Sequence, residues 1–499
     1  MTNHRKSQIR NPQSAILHRL FTSRHRWLAV LATLVLCAAL ALAVGYLLAE
    51  FGPLIAGAGL AALFLGLWIL RDIEAAYWVV IGVVCLLPFA SFPFDIGFTP
   101  TFLDAALGAL FLVWALWIAS GDQGAFTGTP LGLPIIVFML LAVGSFIFGL
   151  AHAPLTSYVL RHFAEVLLSV ALFFLVVNTV RDAERLRRIV RALLLCAFTA
   201  AALGIVLYVV AAYISDDLVI RALSTLARLG YPAGPGVLRY IRDDPELSMR
   251  ATSTSVDPNV LGSLLNMTLG IGVVQLFARR PLIRRRYLVP ILGVMALCLG
   301  LTISRGSLVG VGITLAIVAT LRYRKLWPLL LAALVLVLLL APGQIAHLIA
   351  GLRGQDLATQ MRFGEYKDAL ILIGRYPWLG VGFAASPDID TYIGVSNVYL
   401  LIAEQMGLVG LVSFLVVMAV FFARFWRTRA LAATNLELEP LFWGLHAGIV
   451  GALVGGVFDH YFFNLDFHHS VTLFWLVVGL ATAATELVRR SEQAGDQWQ

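Results

Sequence analysis

The feature that most constrains this chain is a succession of apolar runs, each close to the length that crosses a bilayer. A helix needs about 20 apolar residues to traverse the hydrocarbon. Such runs fall near residues 27–49, 53–70, 76–93, 102–119, 131–150, 159–180, 189–213, 258–277, 287–303, 307–321, 326–341, 397–424, 440–458 and 470–487. Those at 53–70 and 307–321 are short enough to be half-spans. With 60% hydrophobic and 13% charged residues, the chain leaves no room for large soluble domains. The expected fold class is an all-α polytopic membrane protein of about 12–14 transmembrane helices, with a large external loop that itself contains short helices.

The basic segment 1–26 and the run 27–49 resemble a signal peptide. That run is too long for a typical signal core and more spans follow at once, so it reads as an uncleaved first span. The expected organisation is a cytoplasmic basic segment 1–26, one transmembrane domain 27–487 and a cytoplasmic tail 488–499. Basic residues set the direction. With the N-terminus inside, segments 181–188, 279–286, 322–325 and 424–429, the basic start and Arg489-Arg490 hold most of the 36 Lys and Arg. Two long external loops then remain, 215–256 and 342–396, and loops of that length in a compact bundle are usually functional. The second contains an expected helix over 356–373, stopped by Gly374 and Pro377. The net charge of +8 does not indicate nucleic acid, because the basic clusters lack interleaved aromatics. Cys37, Cys85, Cys196 and Cys298 lie inside apolar runs and imply no disulfide framework.

Arginine at the external face runs against the charge rule, which makes Arg250, Arg305, Arg362 and Arg375 informative. Arg305 breaks two spans in Thr302-Ile303-Ser304-Arg305-Gly306-Ser307, and Arg250 precedes Asp257-Pro258-Asn259. Guanidinium forks bind phosphate through two parallel hydrogen bonds and stay charged, so two or three on one cavity suit a diphosphate. Singly, such arginines also snorkel to headgroups. Asp257 reads as the N-cap of the next helix. Gly306 and Gly310, and Gly444, Gly448, Gly451 and Gly455, read as helix-packing positions. His460, His468 and His469 share a segment with Asp459 and Asp466, but at no standard zinc spacing; aromatic anchoring and capping explain it better. Asp388-Ile389-Asp390 mimics the acidic pair of nucleotide-sugar enzymes, yet lies on the external side. No Walker loop, His-Glu-x-x-His or nucleophile elbow is present. Neither a metal nor a cofactor is expected.

From about Arg250 to Gly410 the chain resembles the O-antigen ligase and O-antigen polymerase family. Arg250 to Asn259 is similar to the family's Arg…Pro-Asn element, and Ile303-Ser304-Arg305-Gly306 to its Ser-Arg-Gly element. Three further pieces resemble its large loop and the span after it: Met361-Arg362-Phe363-Gly364-Glu365-Tyr366, Tyr376-Pro377-Trp378-Leu379-Gly380-Val381-Gly382-Phe383, and Ser396-Asn397-Val398 through Glu404-Gln405-Met406-Gly407-Leu408-Val409-Gly410. The resemblance implies a GT-C-like, metal-independent membrane glycosyltransferase. Its donor would be a glycan on undecaprenyl diphosphate and its acceptor a second glycan or a lipid, among membrane lipids. It also implies diphosphate binding by Arg250, Arg305 and Arg362. The family's loop histidine, which activates the acceptor, is replaced here by Ser396, and serine is no general base near neutral pH. Glu365, one helical turn from Arg362, and His460 are the expected catalytic substitutes, with Asp257 and Glu404 nearby in sequence. The alternatives are a transporter of a lipid-linked glycan or small anion, and an inactive family member.

This reading places the chain in the cytoplasmic membrane with both termini inside. Single cysteines introduced into 342–396 are expected to react with an impermeant maleimide on intact cells, and those in 279–286 only after permeabilisation. The reverse pattern would refute the topology.

Overall fold

A computed structural model describes residues 72–95, 97–121, 126–241, 244–247, 249–340, 353–354, 357–384 and 395–496, together with Gly66 and Trp68. The chain divides into two units, Met1–Arg71 and Asp72–Gln499, and the elements named below all belong to the second. The first two expected spans apart from Gly66 and Trp68, the loop residues 342–352, 355–356 and 385–394, and with them the Asp388-Ile389-Asp390 motif, lie outside the described residues.

A helix stands at each of the twelve remaining span positions. In chain order, the helices are α1 (Ile73–Leu86), α2 (Phe102–Ser120), α3 (Gly132–Gly149), α4 (Ser157–Thr179), α5 (Ala183–Tyr213), the short α6 (Asp216–Ser224), α7 (Pro258–Val274), α8 (Arg285–Thr302), α9 (Arg305–Leu321), α10 (Leu326–Leu340), the loop helix α11 (Leu357–Arg375), α12 (Val398–Ala432), α13 (Glu439–Gly455) and α14 (His468–Asp496). Among the described residues, eight helices are long and apolar enough to cross a membrane, with shorter apolar ones beside them. The only named strands there are β1 (Arg239–Tyr240) and β2 (Met249–Arg250), an antiparallel pair. Loop helix α11 runs on to Arg375 rather than ending before Gly374; Pro377 is the residue that cannot continue it.

Short polar residues start these helices. Thr101 and Asp104 form a reciprocal capping box on α2, Asp182 caps α5, and Asn397 caps α12 by accepting from the N–H groups of Tyr399 and Leu400. In a bilayer each unsatisfied backbone group costs several kcal/mol, so these caps belong where the helices leave the hydrocarbon.

Helices α7 and α14 are the centre of the bundle: 89% of each membrane-crossing window is buried by protein, against 28–50% for the other six. Helix α7 packs on α13, and α14 on α4. The glycines of α13 permit the first contact. A Cβ on Gly444 would come 2.9 Å from the Ile271 carbonyl oxygen, and one on Gly448 would come 3.0 Å from that of Met267. Asn266 fills the space beside Gly451 and donates to its carbonyl at 2.7 Å. Helix α10 instead exposes Leu329, Leu331, Leu334, Leu338 and Leu339, a surface suited to acyl chains.

Charged groups gather at the two ends. At one, Glu74 receives both Arg185 and a two-pronged Arg188, Arg322 pairs with Glu439, and Arg424 with Glu486. The alternating direction of the helices puts Arg250, Arg305, Asn397 and Asp459 at the other end.

A glycine-lined contact fixes α11 against α12. The segment after α11 crosses α12 where the helix kinks at Gly407. There Val381 N–H donates to the Glu404 carbonyl at 2.9 Å, Gly382 N–H to Gln405 at 3.1 Å, and Leu408 N–H to Pro377 at 2.8 Å. Gly407 has φ 68° and ψ −179°, a region essentially confined to glycine, and a Cβ there would lie 2.1 Å from the Trp378 carbonyl oxygen. Gly407→Ala is therefore expected to lower stability by about 3 kcal/mol or more. Gly364→Ala, in open space on α11, should be neutral or stabilising by up to about 1 kcal/mol. Thermal unfolding of both variants in detergent checks the contrast.

Candidate functional site

Three segments distant in sequence meet at Phe458-Asp459, in the connection between α13 and α14. The first begins with Arg250 on β2. Its Nε donates to the Thr302 carbonyl at 2.8 Å and its second guanidinium nitrogen to Asn259 Oδ1 at 2.7 Å. Asp257 caps α7 as expected, accepting from Asn259 and Val260 N–H, and also takes the Tyr461 hydroxyl at 3.2 Å.

Arg305 opens α9 in the second segment. The following Gly306 abuts the candidate centre: a Cβ there would be 2.7 Å from Phe458 Cβ and 3.0 Å from Asp459 Oδ2. Gly262 of α7 similarly lies under Ser304 and Ser307, within 3.0 Å of both for an added Cβ.

The third segment is α11, whose residues at i, i+3 and i+4 share one face. Arg362 reaches Asp459 Oδ1 at 3.3 Å, Glu365 Oε2 accepts the Ser396 N–H at 2.9 Å, and the Tyr366 hydroxyl lies 3.1 Å from the Ser396 carbonyl oxygen. Val398 N–H in turn points to the Asp459 carbonyl at 3.1 Å. Arg362 thus pairs with Asp459 in the 456–468 segment, while Glu365 holds the backbone at Ser396.

Backbone strain is concentrated in the same two connections. Among the described residues, the non-glycine residues with positive φ are Ser253, Val256 and Ile303. Two are β-branched, for which this conformation is a genuine outlier. All three lie in the stretches that carry Arg250 and Arg305. Such residues cost of order 1–3 kcal/mol each and persist only where surrounding contacts impose them.

Asp459 is 8% exposed. Burial pushes its carboxyl up, Arg362 pulls it down, Asp257 raises it, Arg250 lowers it and Glu365 raises it, leaving it at about 7. His460 is also buried, which holds its imidazole below the ordinary range against the opposing effect of the Val395 carbonyl. Its Nδ1 lies 3.0 Å from that carbonyl oxygen, so the neutral ring carries its proton on Nδ1 and leaves Nε2 as the basic nitrogen. Glu404 is buried on α12, with Oε2 accepting no hydrogen bond. Its carbonyl belongs to the Gly380–Gly382 crossing.

Sequence reasoning missed two residues. Asp459 was visible only as one acid in an aromatic segment. Arg239, cross-strand from Arg250 in the β1–β2 pair, was hidden by a strand too short to leave a pattern. Two arginines facing each other across a strand pair repel, and an anion between them relieves that.

Residues 290–415 match the family model described as O-Antigen ligase. Over that stretch the chain is similar to the O-antigen ligase family. The match runs from within α8 through α9 and α11 to α12, so it contains Arg305, Arg362, Glu365 and Ser396. Arg250, Asp459 and His460 lie beyond it. None of the curated proteins matches the chain.

The position of Asp459 carries a pH signature. Its folded value of about 7 lies above the ordinary aspartate value near 4. Between the two, the folded protein holds a proton that the unfolded chain has released. Stability is therefore greatest below the lower value and falls as pH rises through the upper. Asp459→Asn should flatten this fall in melting temperature between about pH 5 and 7. Differential scanning fluorimetry across that range checks it.

Proposed function

We propose that this protein transfers a glycan from an undecaprenyl-diphosphate carrier to a hydroxyl acceptor at the outer face of the cytoplasmic membrane. The carrying observation is the meeting of the Arg250, Arg305 and α11 segments at Asp459. The gathering of Arg–Glu pairs at the opposite end of the bundle supports the outward orientation of this end. In the reaction, the acceptor oxygen attacks the anomeric carbon from the side away from the diphosphate. The new C–O bond forms as the sugar–phosphate C–O bond breaks, with inversion. The diphosphate leaves as an anion, and the acceptor proton passes to a base on the protein.

Arg250, Arg305 and Arg362 bind the diphosphate in this reading, with Arg239 beside them. Charge placed in advance where an anion develops is worth several kcal/mol. Asp459 is the first choice of base, because its side chain lies between Arg362 and the start of α9 and it titrates near neutrality. Donor phosphate would draw on Arg362, loosen its hold on Asp459 and leave a stronger base. Glu365 and His460 complete the group. Glu365 sets the backbone at Ser396, and His460 offers Nε2 from the adjoining position. Binding without transfer, as in a transporter, would use the same arginines and need no base.

The test is turnover of a lipid-linked glycan by purified protein in proteoliposomes with a suitable acceptor. Arg305→Lys, which exchanges a fork for a point charge, is expected to lose roughly 100-fold. Asp459→Asn should lose roughly 100-fold or more. Glu365→Gln and His460→Ala test the remaining candidates. Full activity in Asp459→Asn with loss in either of the others would move the base there. Donor binding with no transfer by the unaltered protein would replace the enzyme with a binding role.

A further inference from the structure

A second buried polar group lies at the same end of the bundle, where α2, α4 and α14 begin. Asp104 stands in the first turn of α2, Arg161 and Glu165 in the first turns of α4, and His468 opens α14. A carboxylate oxygen of Asp104, one of Glu165 and a ring nitrogen of His468 all lie within 4.8 Å of one another. Arg161 binds both acids from one side, through Nε to Glu165 Oε1 at 2.7 Å and a terminal nitrogen to Asp104 Oδ2 at 3.2 Å.

The remaining donor atoms are unsatisfied. Glu165 is 6% exposed and its Oε2 accepts no hydrogen bond; His468 is 4% exposed and neither ring nitrogen makes one. His468 Nδ1 lies 3.5 Å from Glu165 Oε2 without forming a hydrogen bond to it. With both acids ionised, two carboxylates against one guanidinium and a neutral imidazole leave a negative charge in excess, and such a buried charge is strongly unfavourable unless a proton shared by the acids or a bound cation offsets it. A divalent cation takes the unused oxygen and nitrogen as ligands and turns the single excess negative charge into a single positive one, which a hydroxide at an open position would cancel.

We propose that Asp104, Glu165 and His468 bind a divalent transition-metal ion, with Arg161 outside the ligand set holding the two carboxylates in place. One imidazole with two carboxylates suits zinc, manganese or ferrous iron. Metal–ligand bonds of about 2.1 Å put tetrahedral ligand atoms roughly 3.4 Å apart, so side-chain rotations of about an ångström complete the set. The fourth position stays open to water. Arg161 performs the outer-sphere task of orienting ligating carboxylates. The ion ties together the starts of three helices and anchors the far end of the segment that carries Asp459. More than 300 residues separate His468 from its nearest proposed partner in sequence, which is why spacing gives no sign of the site. The inference stands apart from the glycan reading.

Full-length protein in detergent, stripped with a chelator and desalted, is titrated with Zn²⁺ and with Co²⁺, and bound metal is measured by mass spectrometry. About one equivalent is expected, with Co²⁺ giving visible d–d bands. His468→Ala and Glu165→Gln should each weaken binding at least about tenfold. His162→Ala, a neighbouring histidine outside the set, should leave it unchanged. X-ray absorption at the zinc edge of the unaltered protein should show one imidazole with oxygen neighbours, a readout that holds even if a variant fails to fold. Absence of stoichiometric binding would overturn the proposal and leave a shared proton as what balances the acids. So would unchanged affinity in well-folded His468→Ala and Glu165→Gln, or an absorption spectrum without imidazole.

Discussion

Hydrocarbon solvates neither a charge nor an unpaired peptide group, and this constraint arranges the whole bundle. Each helix satisfies its own backbone internally, so polarity is left for the helix ends. The charged side chains follow. Glu74 with Arg185 and Arg188, and Arg322 with Glu439, close one end. Asp104 with Arg161, and Arg362 with Asp459, occupy the other. The two ends differ in kind. At the first, arginines and glutamates answer only one another, as Arg185 and Arg188 do on Glu74. At the second, carboxylates, histidines and arginines come together, in part around connections held in strained backbone. Chemistry needs the second arrangement, because a group fully satisfied by one neighbour has little left for a substrate.

The precision of that end depends on close backbone contacts rather than on large side chains. Gly407 and Gly380 allow the segment after α11 to bond to the carbonyls of α12, and Gly382 meets Gly149 of α3 with no side chain between them. Gly306 brings the first turn of α9 against Phe458 and Asp459. A helix held this way cannot slide without breaking hydrogen bonds, so Arg362, Glu365 and Tyr366 project from a fixed register onto 395–397 and 457–459. The family-like glycine pieces thus act through steric permission. They determine how near the charged side chains can come.

Hydropathy made the transmembrane helices legible, and Asp257 marked where α7 begins; the caps at Thr101, Asp182 and Asn397 appear only in the structure. Loop helix α11 was legible except for its end, since Gly374 is tolerated within a helix that continues to Arg375. Arg250, Arg305 and Arg362 stood out because the charge bias of the sequence assigns them to the side where arginine is expected to be rare. Their relation to Asp459 was not readable. That residue is more than 200 positions from Arg250, and what makes it unusual is burial, which no local pattern records. Glu365 does face the same way as Arg362, as helical spacing implied, but the ion pair goes to Asp459 across the connection. Asp104, Glu165 and His468 were invisible together for the same reason: each alone reads as a cap or an interfacial residue.

If the resemblance holds and Ser396 stands where the family's loop histidine is expected, the question is how an acceptor hydroxyl in the proposed reaction gives up its proton. An ordinary aspartate, protonated only below about pH 4, is a weak acceptor for such a proton. Residue type is not what sets that strength, however; environment is. Burial among Asp257 and Glu365 brings Asp459 to about 7, where histidine ordinarily works, while Arg362 and Arg250 keep it from rising further. The arginines proposed to hold the diphosphate are the same groups that restrain the carboxylate. In the proposed reaction, donor binding and base strength are therefore coupled through shared guanidinium groups. Phosphate oxygens compete for Arg362, and Asp459 becomes more basic as they succeed. A base that gains strength only when the donor is seated also limits wasteful attack by water on an incomplete complex.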